Sequence, residues 1–508
     1  MFSGCRYALK RRFSFLGTML VAVMVIGFMM ASANEAHALT ILFDQSGYTG
    51  KTWLQIQDPN FDNGNVRCLA TYDSGTPIDF SQDGGGRTMM SDPVELSAIG
   101  TGGLNVTRAV GTVFYIYYDD PTSEPRTSAP NQMVSTKRFQ PFELTINGGL
   151  GDQGDLTAIN YFTAPLSISS YAMNPVIHPK EQPLQQAGFG ENTGPQIAEL
   201  LAAASGGKDA AVVKNAGDVI VRYLGPSNVF ASNPWPSFVP YMQAVNTNRQ
   251  VTKIKRQTGF NFPGTPLPVY QFGADMKATC DAQGNITLSG AITVSANGDV
   301  AKGNPSPPAS GRWDNATIHF SVADEKEFNR AIYGQVKSKA VTFSGSGWEK
   351  FRQFTDSTLE KGHGTPHNVA KNPSLNDPGV FAYSVTQDMI IGEITTGILG
   401  GFVNSDYKVN GVAIKDMVSN KWWTLYPMVA FSEIQSEHPY YSQYSEVVFN
   451  ESNNTVYGVP YSDRFGSGPL VNSVWYDGQD VNFWKVGIGV PVGIPQSIGD
   501  RIKGFWAD

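Results

Sequence analysis

The stretch FELTINGGLGDQGDLTAINYF, residues 142–162, sets one carboxylate, Glu143, in one alternating segment and an amide, Asn160, in the next. Apolar and polar residues alternate on both sides of a glycine-rich loop, the period of a half-buried hairpin. Pairing the two segments about the loop centre sets Glu143 opposite Asn160, on the face that also carries Thr145 and Ala158. Phe142, Leu144, Ile146, Ile159 and Tyr161 then form the core face. A carboxyl group on the open face of a hairpin can give or take a proton beside a bound substrate. Cleavage of a glycosidic bond needs two such groups, and in this pairing Glu143 meets an amide. The same pattern also describes a polar face that is merely solvated.

Other chemistries have weaker support. His363 and His367 in HGTPH have i,i+4 spacing, but the glycine and proline between them break a helical metal pair, so a plain loop is expected. AIGTGG ending at Gly103 and SGSG before Trp348 lack the lysine of a phosphate loop. There is no Gly-x-Ser-x-Gly elbow. Trp422 and Trp423 suit either stacking on sugar rings or the core, and of Tyr115, Tyr117 and Tyr118 at least one must face inward. No cofactor and no metal is expected.

The elements that must position Glu143 are short strands. LTILFDQSG, KTWLQIQDP, GTVFYIYYDD, FELTING and LTAINYF are β-branched or aromatic and are bounded by Gly, Pro, Asp or Asn, which suggests a sandwich or barrel. The composition shifts near Pro179. GPQIAELLAAASGG reads as a helix with proline in its first turn and glycine at its end, and GDVIVRYLGP as a buried strand. PSFVPYMQAVN, EKEFNRAIYGQ and QDMIIGEITTGILGGF read as further helices, so residues 180–440 are mixed α/β. The end of the chain returns to strands in NTVYGVPYSDRFG and SVWYDGQDVNFWKVGIGVPV.

The 508 residues suffice for one to three domains. With 53 glycines, 31 prolines and only 16% charged residues, strands and turns are favoured over long charged helices. The net charge of -7 without a basic block argues against nucleic acid as a partner. Arg6, Lys10, Arg11 and Arg12 followed by FLGTMLVAVMVIGFMMA form the basic and apolar regions of a signal peptide. Cleavage is expected after Ala38 of AHA, with Ala33 of ASA as the competing site and an uncleaved anchor as the other reading. The mature chain is expected to be secreted or periplasmic, free of the membrane and monomeric. Cys5 leaves with the signal; Cys68 and Cys280 suit one long-range disulfide or two unpaired thiols.

The segment KRFQPFELTINGGLGDQGDLTAINYFTAPLSIS resembles the part of glycoside hydrolase family 64, the endo-1,3-β-glucanases, that runs from an F-E-x-T strand to a V-D-x-F-x-x-P strand. GTVFYIYYDDP, PSFVPYMQAV, HPYYSQYSEVVF and VYGVPYSDRFGSGPLV resemble further family segments in the same order, and the last is also similar to thaumatin-like proteins. The resemblance implies a thaumatin-like β-barrel or sandwich domain, a mixed α/β domain and a wide cleft between them that binds β-1,3-glucan. It divides the chain into a signal at 1–38, the β domain at 39–178 plus 440–508, and the mixed domain at 179–439 with a variable insert near 275–375.

It implies hydrolysis with inversion by two carboxyl groups about 6.5–9.5 Å apart, with Glu143 as the general acid, its pKa raised by burial or a neighbouring carboxylate. At the family's general-base aspartate this chain has Asn160, which cannot accept the proton of a water. Asp155 and Asp463, the latter matching an acidic cleft position, are the substitute bases; Asp152 lies in the loop. The rivals are a non-catalytic β-1,3-glucan-binding protein on the same scaffold, and an interaction protein whose cleft is filled by the insert.

Overall fold

Fourteen residues, Leu104–Tyr117, form the strand about which the β-rich part is organised. The structure is a computed structural model; it describes residues 38–494 apart from 59–67, 83–88, 124–128, 147–151, 191–192, 229–233, 246–257, 261–269, 297–309, 335–337, 355–377, 426–428, 436–439, 461–473 and 477–480. The signal segment through His37, the His363/His367 loop and Asp463 lie outside the described residues.

The first half of the long strand pairs antiparallel with Leu39–Asp44 and Leu69–Tyr72. Its second half pairs with Trp53–Asp58 and Phe139–Ile146. The exchange of partners falls at a register shift between Ala109 and Thr112, where Gly111 has φ 56°. A bulge there needs a residue that enters the left-handed region without strain, and the Gly111 N–H is taken up by Thr145 Oγ1 at 3.0 Å.

Bending at this bulge brings two sheet halves face to face. Trp484, in the C-terminal strand Phe483–Ile488, lies directly on the strand Asp152–Leu156: a Cβ on Gly154 would sit 2.2 Å from the indole. Between the halves Leu39, Ile41, Val106, Phe114, Phe142, Leu144, Ile168 and Val486 are all fully buried. Phe114 and Phe142 stack with centroids 4.9 Å apart.

The hydrogen-bonded path runs from Gln185–Gly188 through Leu166–Tyr171, Phe483–Ile488, Leu39–Asp44, Leu104–Tyr117, Trp53–Asp58 and Met89–Ser91 to Phe80–Gln82. Its two ends are not paired with each other, so among the described residues the sheet forms no closed barrel, and that half of the barrel-or-sandwich expectation is corrected. Phe483–Ile488 lies between Leu39–Asp44, to which it is parallel, and Leu166–Tyr171, so the two ends of the described chain share one sheet.

The middle of the chain is mixed α/β, as its pattern predicts. The helix Gly194–Ala204 carries proline in its first turn, and Gly206 and Gly207 follow its end with positive φ. Ile220–Leu224 is a buried strand between Val212–Lys214 and Tyr161–Phe162. Thr258–Phe260, Tyr270–Cys280, Ile286–Ala296, Gly311–Phe320 and Val341–Ser344 make a five-stranded antiparallel meander in chain order, covered by Ser346–Phe354. The helix Pro378–Leu399 packs on this sheet, and from Met389 onward it is buried on all sides. Trp422 is fully buried over Gly397 and belongs to the core; the Trp423 side chain lies outside what is described.

Gln443–Glu451 is a helix capped by the Ser442 side chain, and it packs on Gly194–Ala204. Among the described residues there are eight α-helices, and no helix is long and apolar enough to cross a membrane. Cys68 and Cys280 are free thiols, both buried, which decides against the long-range disulfide.

Candidate active site

Glu143 does not face Asn160. The strand Phe139–Ile146 pairs with Asp152–Leu156 so that Phe142 meets Leu156, Glu143 meets Asp155 and Leu144 meets Gly154. The register expected from the loop centre differs by five residues, an odd number, which turns every side chain of the second strand to the other face. Burial decides it: Leu156 and Ala158 are 2% and 1% exposed, and Gly154 must lie under Trp484. In the expected register Leu156 and Ala158 would have pointed outward beside Glu143.

Asn160 has left this ladder altogether. It sits in a bend, exposed, just before Tyr161–Phe162 turns away to pair with Ile220–Leu224. Its Oδ1 accepts from Ser227 Oγ at 2.9 Å, and its carbonyl accepts from the Gly225 N–H at 2.8 Å and from Asn228 Nδ2 at 2.7 Å. A Cβ on Gly225 would come within 2.3 Å of the Ile159 carbonyl oxygen, so glycine permits this crossing. Asn160 thus ties one turn to another and does not stand across from Glu143.

The outer face around Glu143 can be built row by row across adjacent strands. Gln57, Val113, Glu143 and Asp155 are successive cross-strand partners, and Gln55, Tyr115 and Pro141 form the next row. Trp53, Tyr117 and Phe139 form the third. The phenol of Tyr115 donates to Gln57 Oε1 at 2.8 Å, and that of Tyr117 to Gln55 Oε1 at 3.0 Å. Gln55 Nε2 is fixed in turn by the Ser91 carbonyl at 3.1 Å. The Tyr115 phenol is pushed well above its usual pKa, by burial first and by the negative charge of Glu143 second. Glu143 pairs with Val113 and Tyr115 with Pro141, so the two are diagonal neighbours on adjacent strands.

One end of this face is closed. Arg222, fully buried, stacks its guanidinium 3.9 Å from the Phe139 ring centre and donates to the carbonyls of Gln132, Ser135 and Lys137. Tyr161 packs on the same Phe139 at 5.4 Å. Toward the other end Glu143, Thr145, Gln153 and Asp155 are all partly exposed. The two carboxylates therefore stand where a covered aromatic floor gives way to solvent. Chemically this is a place where one carboxyl group can hold a proton while the other accepts one. Asp152 is the first residue of the strand and not a loop residue. No group of three or more His, Cys, Asp or Glu suited to a metal ion occurs among the described residues.

The tyrosine–glutamine rows and the Arg222 clamp were not singled out from sequence. Their signals were present: Gln55 and Gln57 alternate through WLQIQD, and Arg222 is a lone charge inside VIVRYL. Either pattern alone reads as an ordinary amphipathic strand.

No protein-family model matches the chain, and no curated protein matches it in sequence. Among solved structures it is similar to a β-1,3-glucanase domain of glycoside hydrolase family 64 from Clostridium beijerinckii, with 11% identity, a TM-score of 0.45, and coverage of 90% of this chain and 99% of that one. It is also similar to a laminaripentaose-producing β-1,3-glucanase in complex with laminaritetraose, with 12% identity, a TM-score of 0.43, and coverage of 89% and 99%. Superposition and identity at this level leave the chemistry to be read from the chain's own residues.

Proposed function

We propose that the chain is an exported glycoside hydrolase that cleaves β-1,3-glucan, with Glu143 and Asp155 as its two carboxyl groups. The observation that carries this reading is their direct opposition across paired strands on a partly exposed face. In this scheme Glu143 gives its proton to the leaving oxygen, and Asp155 either takes the proton of the attacking water, with inversion, or itself attacks the anomeric carbon, with retention. The resemblance of the surrounding sequence to endo-1,3-β-glucanases supplies the substrate class, and the basic and apolar N-terminal regions support export.

The stereochemical outcome depends on side-chain reach. Opposed residues on paired strands have Cβ atoms about 4.5–5.5 Å apart. Inversion needs the carboxyl groups splayed to about 6.5 Å or more, whereas about 5–5.5 Å suits retention through a covalent intermediate. The anomer first formed, followed by NMR, distinguishes the two.

The second reading is a protein that binds β-1,3-glucan without cutting it. It is favoured by Asn160, an amide at the position where the resemblance expects the base, and engaged with Ser227. Laminarin turnover by the wild type, Glu143→Gln and Asp155→Asn separates the readings. Hydrolysis predicts measurable wild-type turnover and a loss of about 10²–10⁴-fold in each variant. Turnover that survives Glu143→Gln removes the site assignment; a wild type that binds laminarin and never cleaves it establishes the second reading.

A further inference from the structure

The helix Val239–Val245 and the segments around Asn404 and Ser432 line a half-open pocket of about 410 Å³, within the ~300–1,000 Å³ range of small-ligand sites; none of its lining residues lies on the strands that carry Glu143 and Asp155. Its floor is buried and fixed. Tyr241 donates its hydroxyl to the Val403 carbonyl, and Gln435 Nε2 donates to that same carbonyl at 3.0 Å. The Tyr241 ring lies against Tyr440, with centroids 4.5 Å apart and planes tilted by 32°. The rim, by contrast, is open: Asp406, Tyr407, Ser432 and Glu433 are all exposed.

Two walls of the pocket turn on left-handed residues, Asn404 at φ 54° and Phe431 at φ 56°. Asparagine tolerates that region, whereas phenylalanine is strained there. Phe431 is held by its ring, buried against Tyr441 and Phe449, and by its N–H, which donates to the Gly400 carbonyl at 2.8 Å. Strain of this kind persists where packing over-determines the backbone, and it gathers at ligand clamps. Here it directs Ser432 and Glu433 onto the rim.

The lining selects the ligand chemistry. Tyrosine faces suit the C–H face of a pyranose ring, and carboxylates and a serine hydroxyl suit its hydroxyl groups. Asp406 is ion-paired with Lys415, which offsets part of the rim's negative charge and favours a neutral polyhydroxyl ligand over an organic cation. We propose that this pocket binds a hexopyranose unit, with Tyr407 and Tyr440 against the ring and Asp406 and Glu433 accepting from its hydroxyls. The inference needs a saccharide ligand but not the cleavage assigned to Glu143 and Asp155.

The test is titration of the full mature chain carrying Glu143→Gln, followed by NMR, with laminaribiose as a small free sugar and laminarin as a polymer. Glu433→Gln and Tyr407→Ala are then added singly. Tyr407 is 38% exposed, so its truncation should leave the fold intact. Each variant is expected to weaken laminaribiose binding about tenfold, the worth of one charge-assisted hydrogen bond or one ring contact, with the melting temperature unchanged. Laminarin affinity that falls in parallel shows that chain ends enter the pocket; laminarin affinity that holds shows that it takes free sugar alone. The proposal is overturned if laminaribiose does not bind, if both variants bind it as tightly as the parent, or if tetramethylammonium occupies the pocket in its place. Failure of hydrolysis at Glu143 would appear in laminarin turnover and would leave this titration unchanged.

Discussion

Glu143 and Asp155 carry the same charge type and are held face to face by a backbone ladder. Both are partly exposed on one face, which makes this pair, and not Glu143 with Asn160, the place to look for acid–base chemistry. Asn160 has a different task, since its side chain and carbonyl bind the Pro226–Asn228 turn. Asn160→Asp is therefore expected to change laminarin turnover by less than about threefold, far below the loss of a positioned general base. A hundredfold gain on Asn160→Asp, measured beside the wild type, would restore Asn160 to the centre of the site. Glu143 as a carboxyl on an alternating strand was legible in the sequence. Its partner was not, because a glycine-rich loop does not disclose how many residues it consumes, and an odd error exchanges the two faces.

At the scale of elements, the N-terminal strand Leu39–Asp44 and the C-terminal strand Phe483–Ile488 are parallel neighbours, and Asp44 closes the end of the pair on Lys485 at 3.1 Å. Burial alone would raise the Asp44 pKa. Hydrogen bonds from Ser46 and the Lys485 ammonium outweigh it, and the net effect is a lowered pKa. A lowered carboxylate pKa stabilises the fold above the unfolded-state value, about 3.9, and the contribution is lost as pH falls through the folded-state value. Asp44→Asn should thus cost about 0.5–1 kcal/mol at pH 7, the scale of a solvent-screened pair. The difference from wild type should shrink steadily below pH ~4. Urea unfolding of both proteins at several pH values checks this; a gap that stays constant down to pH ~2 would separate Asp44 from the effect. The strands and helices themselves were largely visible in their periods of two and 3.6. Two stretches differ: LTAINYF, which sequence joins into one strand and the structure breaks at Ile159–Asn160 because Tyr161 and Phe162 are claimed by Ile220–Leu224, and NTVYGVPYSDRFG, whose described residues 454–460 hold only an isolated bridge between Tyr457 and Thr157.

For the whole molecule, Cys68 lies in the β-rich part and Cys280 in the meander, each in its own packed interior. Burial first, and then the nearby carboxylates Asp58 and Asp281 respectively, push both thiols up to about 12. Since the thiolate is the reactive form, neither cysteine should react with a thiol reagent at pH 8 in the folded mature chain. Both should react once it is unfolded, so the labelling rate in a urea series should follow global opening. Rapid labelling of one cysteine in native buffer would show that its half of the molecule opens separately.

By itself the sequence determined that the chain begins in short strands and is mixed in the middle, and that Glu143 belongs to an amphipathic strand. Alternation and turn residues are local, and local patterns survive folding. Tertiary structure decided the rest. Trp484, more than three hundred residues further along the chain, requires glycine at position 154 beneath it, and this fixes which face Asp155 shares. The strand pairing decided an open sheet and not a closed barrel, and Arg222 decided which end of the Glu143 face is covered. Each of these rests on side chains that meet only after distant segments have packed, so no window of sequence contains them.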